Sequence, residues 1–162
     1  MRLALKCAVV LAGLLAVDVV TSGSRREAVP DYGDDPRLLK LEHFFRELGS
    51  PAHSIAKEFL KAADQNGLDW RLLPSLSILE SGGGRECRNN NILGWDSCRK
   101  AFRSSAAGVH YVAERLSVSS LYKDKSLNEK LRTYNPHPGY PLRVRRLMSR
   151  LGPDRDVPPN VP

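Results

Sequence analysis

Acidic residues are the scarcer charge in this chain, and the sulfur-bearing and indole side chains are scarcer still. Its 162 residues hold 18 aspartates and glutamates against 25 lysines and arginines, a formal charge of +7, with three cysteines, two methionines and two tryptophans. No Cys or His pair sits at ligand spacing, which excludes a zinc-type metal site, and nothing calls for a cofactor. The apolar run at residues 7–17 falls short of the roughly 20 residues that a membrane helix needs. No nucleic-acid-binding motif accompanies the arginines, so nucleic acid is not an expected partner. Internal repeats are absent too. What remains is enough chain for one domain with a modest core.

The N-terminus is the first positive feature. Arg2 and Lys6 precede the apolar run, and Thr21, Ser22 and Gly23 follow it. This is the charged, apolar, small-residue order of a secretory signal, which assigns residues 1–23 to export towards the periplasm or the extracellular wall. An uncleaved anchor is the alternative, because Asp18 spoils the end of the run; only then would the membrane be a partner. Cys7 leaves with the signal, so Cys87 and Cys98 form an even pair in an oxidising compartment and read as a disulfide. Closing such a loop stabilises by roughly 2–4 kcal/mol. Two free thiols are the other reading.

Residues 24–35, polar and turn-rich, read as a flexible linker, and the Pro-rich residues 152–162 as a disordered tail. Between them, residues 36–151 carry helical patterns. Pro36 opens an apolar stripe through Leu48, Gly49 ends it, and Ser50-Pro51 restarts a second helix that stops before Gly67. A largely apolar helix covers 70–80, as expected for an element buried on most sides. Another spans 106–116. Ser126 with Glu129 makes a capping box for 127–133, and a basic amphipathic helix fills 141–151. The reading is a mainly α, monomeric bundle of short helices with one irregular or β lobe at residues 82–101.

That lobe follows a lone acid, in the stretch LESGGGRECRNNNILGW over residues 79–95. Glu80 closes an apolar helix where the dipole favours cations, an awkward place for a carboxylate. A carboxylic acid facing a groove is what glycosidic cleavage requires, since the leaving oxygen must receive a proton. Tryptophan and tyrosine stack on sugar rings, and asparagine amides match hydroxyl and N-acetyl groups. His110 and His137 show no partner that suggests chemistry. Arg143, Arg145, Arg146 and Arg150 read as a solvated basic face.

The segments LPSLSILESGGG and NNNILGW, followed by a Phe, a helix and YNPHPGY, resemble the bacterial glucosaminidase family of the lysozyme-like superfamily. The likeness spans roughly residues 38–151. It implies a lysozyme-like fold and cleavage of N-acetylglucosaminyl bonds in peptidoglycan glycan strands, with Glu80 as general acid. Ser81 would orient it, Asn90 and Asn91 shape the groove floor, Trp95 line the groove, and Tyr134 face the reacting sugar. The family's second carboxylate comes from a β lobe that is very short here, leaving Asp96 as the only acid after Glu86. Either Asp96 positions water, or the substrate's own 2-acetamido group attacks the anomeric carbon. Lytic transglycosylases share the helix and the glutamate, so that reaction stays open. So do a non-catalytic wall-binding domain and a partner protein that uses the arginine face.

Overall fold

The computed structural model describes residues 32–153. Among them are six α-helices and two short 3-10 turns, with no strand. The protein is mainly α. The signal, most of the linker and residues 154–162 of the tail lie outside the described residues.

Helix α1, Pro36–Glu47, starts where Asp35 accepts a hydrogen bond from the Arg37 amide at 2.8 Å, with proline at its first position. After Gly49, the Ser50 hydroxyl accepts from Ala52 N and caps the turn Pro51–Ile55, which runs into α2, Ala56–Gln65. Asp69 binds the backbone amide and the guanidinium of Arg71, so α3 begins at Leu72 rather than Trp70 and ends at Ser81. Helix α4, Ser105–Val118, is capped by Ser104. Helix α5, Leu127–Tyr134, carries both halves of the Ser126–Glu129 capping box, and α6 is Tyr140–Leu151.

Helix α3 is the centre of the bundle. Every residue from Leu72 to Ser77 is buried, and the helix packs against both α2 and α6. Helix α4 covers α2, while α5 and α1 both meet α6. Phe45 lies between Phe44 and Phe59 with ring centroids 5.6 and 5.2 Å away. Leu41, Leu60, Leu73, Leu76, Val109, Val112 and Val144 complete the core. Each such side chain contributes about 1.5–3 kcal/mol on burial.

The fold begins earlier than the linker reading placed it. Tyr32 is only 2% exposed, and its hydroxyl donates to Asp64 Oδ2 at 2.9 Å. Arg37, also buried, binds both Asp35 and Asp64. A guanidinium taken out of water needs carboxylates around it, so residues 32–35 belong to the folded unit. The lobe at residues 82–101 is irregular, not β: its backbone groups bond to turns and side chains instead of a ladder. His110 is structural: its Nε2 lies 2.9 Å from Glu58 Oε2 and joins α4 to α2.

Candidate active site

Glu80 stands in the last turn of α3. Gly82 adopts the left-handed conformation at φ 60°, and Gly82 N and Gly83 N donate to Ile78 O and Ser77 O. This closes the helix end through a glycine that needs no Cβ penalty. The chain therefore turns away within two residues and leaves the half-buried carboxylate uncovered.

Two contacts define that carboxylate. Tyr140, at the first turn of α6, donates its hydroxyl to Glu80 Oε1 at 2.6 Å. On the other side lies Gly94, also left-handed at φ 66°, where an added Cβ would stand 2.6 Å from Glu80 Oε2. Position 94 must be glycine twice over, for its backbone angle and for the oxygen beside it. Tyr140 is buried, and burial followed by its bond to Glu80 drives its ionisation far above the ordinary phenol range. Burial, then the nearby Glu80 charge, does the same for Tyr134. Both phenols stay protonated and act as donors.

Glu80 and Gly94 open into a cavity of about 760 Å³, with Trp95, Asp96, Lys100, Tyr111, Tyr122 and Tyr134 among its walls. The Trp95 ring is the hub. It meets Tyr111 and Tyr134 edge-on at 6.0 and 5.9 Å and lies 6.0 Å from Tyr122. Tyr134 and Tyr140 are nearly parallel, 6.3 Å apart at 12°. Such a wall offers apolar ring faces with polar tips to a sugar.

The structure brings Glu80, Trp95, Asp96 and Tyr134 to one cavity, as the sequence suggests, but redistributes their roles. Tyr134 donates to Leu93 O and braces the wall, while Tyr140 is the phenol on the acid. Asp96 is exposed and ion-paired with Arg99 at 2.5 Å. Ser81 does not orient Glu80: its hydroxyl donates to Ile92 O at 2.7 Å and accepts from Gly84 N. Nor do the asparagines form a floor. Buried Asn91 donates to Trp95 O and Lys100 O and accepts from Trp95 N, which makes it the internal strut of the loop. Asn90 donates to Phe102 O, and Asn89 to Cys98 O.

The disulfide is corrected as well. Cys87 and Cys98 are free thiols, and Cys87 Sγ donates to Arg88 O. Burial, then the neighbouring Cys98, pushes the Cys87 thiol above its ordinary value. The loop is closed by the asparagine bonds instead, and Asp96, Ser97 and Cys98 run consecutively through the left-handed region. Each such residue costs about 1–3 kcal/mol, a strain that recurs at functional sites.

Sequence reasoning missed Tyr140, Tyr111, Tyr122 and Lys100. Tyr140 ends the YNPHPGY segment and so was in view; the other three carry no local pattern that separates a cavity wall from a core. The described residues contain no cluster able to hold a metal ion. No helix among them is long and apolar enough to cross a membrane. The chain matches no known protein-family model, no curated protein and no solved structure.

Proposed function

We propose that this protein is a peptidoglycan hydrolase of lysozyme-like architecture that cleaves N-acetylglucosaminyl bonds, with Glu80 as the general acid. The observation that carries the reading is the pairing of Glu80 with Tyr140 and Gly94 at the mouth of an aromatic cavity. One carboxylate oxygen is engaged by a phenol, and the other lies against a residue with no side chain. A glycosidic oxygen can therefore approach closely enough to take the proton. The resemblance of the LPSLSILESGGG and NNNILGW segments to bacterial glucosaminidases points the same way.

The acids on the cavity wall are Glu80 and Asp96, and the Asp96 carboxylate is bound to Arg99. Among the described residues that wall offers no second unpaired carboxylate, which favours assistance by the substrate. The 2-acetamido oxygen closes on the anomeric carbon as the C1–O bond breaks, and Glu80 transfers its proton to the leaving oxygen. Water then opens the cyclic intermediate and returns a proton to Glu80. A sugar 6-hydroxyl in place of water would give the transglycosylase outcome. Trp95 and Tyr134 supply the ring faces on which the glycan lies.

Mass spectrometry of peptidoglycan digested by the purified protein tests the proposal. Reducing N-acetylglucosamine ends are expected. Anhydro ends would replace hydrolysis by transglycosylation, and binding to the wall without any new ends would leave a binding domain.

A further inference from the structure

The cavity beside Glu80 carries two cations on its wall, Arg99 and Lys100, and they differ in kind. Arg99 is exposed and its guanidinium is taken by Asp96. Lys100 has no carboxylate partner among the described residues. Its ammonium instead stands 4.4 Å from the ring centroid of Tyr111 and 5.7 Å from that of Phe102. Its carbonyl accepts a 2.9 Å bond from buried Asn91, which is itself held by Trp95. Both ends of the residue are thus fixed, the backbone by the strut of the loop and the charge by two ring faces. A positioned cation of this sort, half-buried and unneutralised, is preorganised for an anion.

Resting on the glycosidase reading of Glu80, we propose that Lys100 is a specificity-determining residue that binds a free carboxylate on the glycan, and so selects acidic strands over neutral ones. In a wall glycan, the carboxylate closest to the sugar rings is the lactyl group of the muramyl unit when no peptide is attached to it. That group sits on a ring adjacent to an N-acetylglucosaminyl bond, and Glu80 and Lys100 line one cavity. The charge of +7 draws anionic polymers to the protein in general; Lys100 places one such charge at the cleavage site. Neutral chitin-type strands can stack on Trp95 but leave Lys100 unsatisfied.

The test uses peptide-free glycan strands with free lactyl carboxylates, the same strands after conversion of the carboxylates to amides, and the protein with Lys100 intact, Lys100→Gln or Lys100→Arg. Cleavage is followed by reducing ends, and binding by isothermal titration. With Lys100 intact, carboxylated strands should show a KM and a Kd roughly tenfold below those of amidated strands, as for loss of one charged hydrogen-bonding partner. Lys100→Gln should abolish that difference in KM and Kd, and Lys100→Arg should keep most of it. Thermal unfolding of the three proteins guards against loss of fold. Equal preference for the two glycans in the protein with Lys100 intact, or an undiminished preference in Lys100→Gln, overturns the proposal. Absence of cleavage with the binding preference present would defeat the glycosidase reading alone and leave the anion subsite standing.

Discussion

Glu80, Gly94 and two tyrosines carry the site, and each makes a separable claim. Glu80→Gln keeps the oxygen that accepts from Tyr140 but cannot donate a carboxylic proton. Digestion of peptidoglycan should fall by about 100- to 10,000-fold with little change in thermal midpoint. Parent-level digestion by this variant would end the mechanism. Gly94→Ala should act on both counts. The left-handed backbone costs about 1–2 kcal/mol for an alanine, and its Cβ pushes against Glu80 Oε2. Unfolding and kinetics together should show a modest stability loss and a large activity loss. The tyrosines should divide the other way. Tyr140→Phe removes the donor to Glu80 while its ring still stacks on Tyr134, so kcat should drop about tenfold with stability nearly kept. Tyr134→Phe leaves the Leu93 carbonyl without its donor, and should lower stability by about 1–3 kcal/mol first.

Among the elements, the lobe at residues 82–101 behaves differently from the helices that frame it. The helices stand on local caps and buried faces, whereas the lobe is held by side-chain bonds among which those of Asn91 are the most buried. Asn91 is 1% exposed and makes three hydrogen bonds across the loop. Asn91→Ala would leave the half-buried carbonyls of Trp95 and Lys100 without this donor, at up to about 1–3 kcal/mol each. Proteolysis of the folded protein should then cut first within residues 87–101, and preferential cutting elsewhere would deny the strut role. Helix α6 shows how its arginines are used: Arg145 donates to Asn128 Oδ1, Arg150 pairs with Glu47, and Arg143 lies 5.9 Å from the Tyr140 ring centroid. Its basic face fastens neighbouring segments as well as facing solvent.

For the molecule as a whole, ionisation sets the pH limits of stability. Burial, then its bond to Asp64, pushes the Tyr32 phenol up to about 12 from the ordinary value of 10.0. The fold thus prefers the neutral phenol. This contribution is complete below pH 10 and is lost as pH rises towards about 12. Tyr134 and Tyr140 act in the same direction. At the acid end, burial raises the Asp35 and Glu58 carboxyls, but hydrogen bonds from Arg37 to the first, and from Lys61 and His110 to the second, outweigh it. Both end below their ordinary values of 3.8 and 4.5. Their contribution is present above those values and disappears as pH falls through the lower, folded ones. Denaturant midpoints measured against pH should describe a plateau with both flanks falling. Tyr32→Phe should make the alkaline flank shallower.

Sequence alone determined what hydrogen bonds within a few residues can decide. Asp35-Pro36, Ser104 and the Ser126–Glu129 box start their helices because caps reach only two or three residues. The glycines after Glu80 release the chain because a left-handed residue ends α3 wherever that helix is packed. The mainly α class and the acid at the helix end were therefore legible. Tertiary structure decided which phenol reaches that acid. Tyr134 and Tyr140 flank one turn, and only the packing of α6 on α3 sets Tyr140 against Glu80, sixty residues away in sequence. The fold of the lobe turned Ser81 towards Ile92 O and set Asn91 on the Trp95 and Lys100 carbonyls. A polar side chain buried among carbonyls takes the nearest unpaired one, and which carbonyl that is depends on how the chain folds back on itself.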